Sequence, residues 1–142
     1  ASSEAAYRSL TQSWFRHSTT YRLFEQIAQI GAKIILTTDH GTVRVRKPVK
    51  IVGNRNTSTN LRYKLGQSLT FDAKEAYAPR KPKDIGLPVN HLTDGYVFCY
   101  EQNFFAYPNN YNYYVNYYRD TLQHGGISME EMLVPCITLT PR

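Results

Sequence analysis

An apolar stripe at helical spacing stops at a glycine and passes almost at once into a nearly continuous apolar run. Leu23, Ile27 and Ile30 recur three and four residues apart, with Tyr7, Leu10, Trp14 and Phe15 continuing the stripe upstream, so residues 5–30 are expected to be helical. Ser18, Thr19 and Thr20 are poor helix-interior residues and good caps, so "RHSTTY" can split the helix in two. Gly31 is a natural C-terminal stop. Residues 33–38 (KIILTT) then read as a strand covered on both faces, as in an α/β sheet. A helix feeding a buried strand is half of a wound α/β unit, and in open sheets of that kind ligands gather beyond the carboxyl ends of the strands.

Asp39 and His40 stand at that end, followed by Gly41. Imidazole and carboxylate are the ligands of choice for zinc or manganese, and adjacent residues can both turn inward only where the backbone bends sharply, which Gly41 permits. Far downstream, His124 precedes Gly125 and Gly126, glycines that let the backbone pass close to a ligand. Asp39, His40 and His124 are therefore a candidate metal-ligand set drawn from two distant points of the chain. The competing reading has Asp39 capping a helix or turn and the histidines as ordinary surface residues. His17 and His91 have no motif around them.

Residues 43–52 (VRVRKPVKIV) alternate apolar and basic, placing Arg44 and Arg46 on one face, and Pro48 makes this an edge or bent strand. The arginines serve either a phosphate-rich partner or a solvated strand face. Residues 53–64 read as a polar loop leading to a short helical turn, in which Arg55, Asn56, Asn60, Arg62 and Lys64 could form an anion-binding surface. Residues 96–107 (YVFCYEQNFFAY) read as a strand pair turning at Gln102 and Asn103. The segment NNYNYYVNYYRD holds five of the 12 tyrosines, a density that suits either stacking on bases or packing against a neighbouring surface. Ser128 and Glu131 form an S-x-x-E capping box for a short helix, and LVPCITLT reads as a closing strand.

Composition excludes several classes. No segment approaches the roughly 20 apolar residues of a bilayer span, so no membrane partner is expected. Cys99 and Cys136 lie in strand-like surroundings without metal-knuckle or redox spacing, and read as buried reduced thiols of a cytoplasmic protein. Seventeen basic residues against 11 acidic ones give a net charge of +6, compatible with a polyanionic partner but spread over several segments.

The sequence TTDHG after an apolar strand, followed far downstream by HGGISMEEMLVP and a final strand, resembles the C-terminal portion of the PglZ domain, a branch of the alkaline phosphatase superfamily. Residues 33–69 and the last twenty residues also resemble PglZ-containing response regulators of the PorX type, found in Bacteroidetes. The resemblance implies the C-terminal part of an alkaline-phosphatase-like α/β/α sandwich, a mixed sheet flanked by helices. It implies two metal ions, usually zinc with manganese as an option, Asp39 and His40 binding one and His124 the other.

The family's nucleophile and D-x-x-x-H pair have no match upstream of Asp39, where the only acids are Glu4 and Glu25. The chain is thus expected to be the C-terminal half of a catalytic domain, with few metal ligands of its own and an apolar sheet edge or face that favours a homo-oligomer. The implied activity is a phosphodiesterase output domain acting on phosphodiesters or oligonucleotides, downstream of a receiver domain and linked to a sensor kinase or sigma factor. The alternative is a non-catalytic signalling or binding module that contacts a sigma factor, a regulator or DNA.

Overall fold

The computed structural model describes residues 4–89, 91 and 94–141. The chain divides into two compact units, one of residues 1–38 with 135–142 and the other of residues 39–134. The elements are a mixture of helices and several small sheets.

In the first unit the split helix is α1, Glu4–His17, and α2, Thr19–Gln29. Ser18 sits between them in an extended conformation, its Oγ accepting from the Tyr21 N–H and donating to the Phe15 carbonyl. Gly31 takes φ +76°, the left-handed conformation that ends a helix. Strand β1, Ile34–Thr37, pairs antiparallel with the strand that closes the chain, Cys136–Leu139, in register Ile34 to Leu139. The Thr37 hydroxyl adds a bond to the Pro135 carbonyl, 2.8 Å.

The expectation that KIILTT is covered on both faces is corrected here. Among the described residues this is a two-stranded sheet, with Ile35 68% exposed and Leu36, Ile137 and Leu139 also exposed. Two strands offer no neighbouring layer to bury both faces of either one. Cys136 is exposed for the same reason, so only Cys99 is the buried thiol expected of both.

The second unit is built of short strands. They are β2, Val43–Arg44; β3, Lys47–Val52; β4, Tyr63–Gly66; β5, Thr70–Phe71; β6, Ala76–Tyr77; β7, Gly95–Cys99; β8, Asn103–Ala106; and β9, Leu122–Gln123. A 3₁₀ turn, Pro82–Ile85, lies between β6 and β7, while the helices α3, Tyr111–Tyr118, and α4, Met129–Met132, flank β9. The closing strand of the chain is β10.

One sheet has the order β5-β3-β8, with β3 parallel to β8 and antiparallel to β5. A second has the order β4-β7-β6, all antiparallel. Val49, Ile51 and Phe105 of the first sheet share one buried cluster with Ala76, Val97 and Cys99 of the second. Side chains alternate along β8, so Phe104 leaves that cluster and packs with Val43 and Val45 in another.

Three readings of this region change. The run of residues 43–52 is broken between Arg44 and Lys47, and Pro48 lies where β3 is paired with β8 alone, because β5 pairs only with Ile51 and Val52. The polar loop after Gly53 leads into strand β4, not a helical turn. Residues 96–107 do form two strands turning at Glu101 and Gln102, but the strands join different sheets and are not a hairpin. No helix among the described residues is long and apolar enough to cross a membrane.

Candidate metal centre

The second unit begins at Asp39, and its DHG corner meets the HGG loop. The His40 Nε2 and the Asp39 Oδ1 are 3.6 Å apart. On the other side of the ring, His40 Nδ1 is 2.8 Å from the Gly41 carbonyl. A carbonyl only accepts, so Nδ1 carries the proton of that bond, and in the neutral ring Nε2 presents a lone pair. A lone pair and a carboxylate oxygen at 3.6 Å repel unless a proton or a metal ion lies between them. The His124 ring stacks on His40, centroids 3.8 Å apart and planes within 10°.

Glu131 holds this arrangement together. Its backbone carbonyl accepts from the Gly41 N–H at 2.8 Å. Its carboxylate accepts from the Gly126 N–H at 2.9 Å and the Ser128 N–H at 3.2 Å, the latter completing the capping box of α4. The same carboxylate binds Arg62 through Nε at 3.0 Å and Nη2 at 2.9 Å, while Arg62 Nη1 donates to the Asn103 carbonyl. Asn60 adds a second tie, donating to the His124 carbonyl at 3.3 Å and accepting from the Arg62 and Tyr63 N–H groups.

Burial would push the Glu131 carboxyl up. The hydrogen bonds from Arg62, Gly126 and Ser128, with the Arg62 charge, outweigh it and hold that carboxyl below its usual range.

Both glycine motifs are needed for close approach. A Cβ on Gly41 would lie 1.9 Å from the Glu130 carbonyl oxygen. Its role is therefore to let the corner pass against α4, and it has no left-handed φ of the kind Gly125 takes at +99°. A Cβ on Gly126 would lie 2.6 Å from Glu131 Oε2.

Arg55, Arg62 and Lys64, expected on one anion-binding surface, do not share one. Arg62 and Lys64 are 0% and 1% exposed. Arg62 is committed to Glu131, and Lys64 donates to the Ser58 carbonyl at 2.9 Å, because alternate residues of β4 and its lead-in face the interior. Arg44 and Arg46 remain outside, drawn to Asp120 by its carbonyl at 3.3 Å and its carboxylate at 3.7 Å. Arg55 is exposed in a turn. Sequence reasoning missed Glu131 and Asn60 as the residues that hold the two histidines in place. The only trace of that role was the S-x-x-E box directly after HGG.

A protein-family model, described as the BREX system PglZ alkaline phosphatase-like domain, matches residues 1–139. The chain belongs to the PglZ family. No curated protein matches it. Alkaline-phosphatase-like proteins are generally metal-dependent, and the donors of this PglZ chain suit such an ion. One imidazole nitrogen with its tautomer set by a backbone carbonyl faces a carboxylate oxygen, and two bonds of about 2.0–2.1 Å can meet across such a gap. Among the described residues no three His, Cys, Asp or Glu side chains gather as a metal-binding group. Asp39 and His40 thus form a two-donor pair with His124 stacked beside it.

Proposed function

We propose that this PglZ chain is part of a metal-dependent phosphodiesterase, with Asp39 and His40 holding one divalent ion and His124 a second. The observation that carries the reading is the approach of His40 Nε2 to within 3.6 Å of the Asp39 carboxylate while the Gly41 carbonyl takes the opposite ring nitrogen. Zinc or manganese bound there supplies Lewis-acid polarisation of a phosphoryl oxygen. The chain's own residues orient the donors: Gly41 sets the His40 ring, and Asn60 and Glu131 hold the backbones of His124 and Gly41.

Half-buried Arg44 and exposed Arg46 and Arg55, with the net charge of +6, favour an oligonucleotide or other polyanionic phosphodiester. In this reading residues 1–142 are the C-terminal portion of a larger domain, and the nucleophile is supplied by its other portion. The resemblance around TTDHG and HGGIS supports a cytoplasmic response-regulator setting with a receiver domain and a sensor kinase or sigma factor as partners.

A second reading, a binding module without catalysis, is favoured by Tyr113 and Tyr117, which are 64% and 63% exposed and stack on each other at 6.1 Å. One experiment separates the two. The complete domain, including the portion that supplies the nucleophile, is titrated with zinc and with manganese and assayed on a simple phosphodiester and on short oligonucleotides, beside Asp39→Ala, His40→Ala and His124→Ala. Metal binding and metal-dependent turnover that all three folded variants lose support the phosphodiesterase. Wild-type metal affinity retained in the variants overturns it in favour of the binding module.

A further inference from the structure

A cavity of about 230 Å³ opens between α3, β8 and the start of β4, separate from the metal corner. Leu61, Phe105, Tyr107, Tyr114 and Tyr118 give it apolar, largely aromatic walls, and Lys64 is its cation. It is smaller than the roughly 300–1,000 Å³ of sites for drug-sized ligands, so it suits a single substituted ring.

Lys64 is buried without a counter-ion. Its ammonium has three N–H groups. One meets the Ser58 carbonyl at 2.9 Å, and another faces the Tyr107 ring, 4.8 Å from its centroid. The third meets no acceptor among the described residues, and there no carboxylate lies within ion-pair distance of Lys64. Arg62, the other buried cation, is neutralised by Glu131. A buried charge is stabilised by a paired opposite charge, so the group that completes this site is an anion. The walls demand that the anion carry an apolar, planar body, which the parallel Tyr114 and Tyr118 rings, 6.2 Å apart, can contact by their faces.

We propose that this cavity binds a small aromatic carboxylate, its ring among Tyr107, Tyr114 and Tyr118 and its carboxylate on the Lys64 ammonium. Burial holds the Lys64 amine down at about 8, opposed in part by Cys99. Near pH 9 the free amine is largely neutral, so an arriving anion draws a proton onto it. The titratable groups around it are the Cys99 thiol of β7 and the phenols of Tyr107, Tyr114 and Tyr118. Burial raises both Cys99, to about 12, and Tyr107.

The test is calorimetric titration of the full chain with benzoate, benzyl alcohol and acetate, in a chelator to exclude the metal site, in buffers of different ionisation enthalpy at pH 9. Expected are saturable benzoate binding at least tenfold tighter than either control, and proton uptake on binding. Lys64→Met should lose the preference for benzoate over benzyl alcohol. Tyr114→Ala, at a half-exposed position, should weaken benzoate severalfold while leaving acetate unchanged. No saturable benzoate binding, binding without proton uptake, or acetate binding as tightly as benzoate would overturn the proposal. So would a benzoate preference that survives in folded Lys64→Met.

Discussion

The Arg62 guanidinium and the Glu131 carboxylate form a buried bidentate pair, Nε to Oε1 at 3.0 Å and Nη2 to Oε2 at 2.9 Å, that links β4's lead-in to the loop carrying His124. Each nitrogen and each carboxylate oxygen of the pair has a partner, since the Gly126 and Ser128 N–H groups donate to Glu131 and Arg62 Nη1 donates to the Asn103 carbonyl. Removing one partner leaves the other charge buried and unpaired. Glu131→Ala or Arg62→Ala is therefore expected to cost about 3–5 kcal/mol in urea unfolding, and Arg62→Met with Glu131→Leu together less than the sum of the single changes.

The depressed Glu131 carboxyl makes the fold acid-sensitive. A carboxyl whose folded pKa lies below its unfolded value of 4.5 contributes stability that is present above 4.5 and lost as pH falls through the folded pKa. The urea midpoint of the wild type should drop below pH 4.5 more steeply than that of Glu131→Gln, which has no proton to take up.

Lys64 acts at the other end of the pH scale. Its folded pKa of about 8 lies below the ordinary 10.5, so between these values the unfolded chain binds more protons and stability rises with pH. Relative to Lys64→Met, the wild type should gain up to about 3 kcal/mol across that window. Cys99, raised to about 12 by burial, works in the opposite direction above pH 9, and more so in Lys64→Met, where the Lys64 charge no longer lowers it. Parallel denaturant titrations from pH 7 to pH 10.5 measure the difference.

Gly41→Ala places a methyl group against the Glu130 carbonyl and should cost about 1–3 kcal/mol through the forced shift of α4 or the corner. Zinc affinity should fall with it, because the Gly41 carbonyl that sets the His40 ring moves too. Gly31→Ala is the control: its Cβ would meet nothing within 4 Å, so only the left-handed backbone, about 1–2 kcal/mol, opposes it, and zinc binding should be unchanged.

Local signals in the sequence were read correctly where a few neighbouring residues decide the outcome. Ser18 caps α2, Gly31 ends the helix, Ser128 and Glu131 frame α4, and CITL forms the last strand, because each depends on backbone groups within one turn or one strand. The apparent burial of Ile35 and Leu36 failed for the opposite reason, since apolar content says what a strand can bury and only its neighbours say what it does.

What the amino-acid sequence determined by itself was the set of chemically capable groups and their local frames: an acid and an imidazole before Gly41, an imidazole before two glycines, and a capping box. Only the tertiary structure decided that His40 stacks on His124, that Arg62 and Lys64 point inward, and that Glu131 binds both loops. Those contacts join residues 69 and 84 positions apart, and no local propensity encodes such a distance. They follow from the packing of whole elements, where a buried charge must find its partner wherever the fold has carried it.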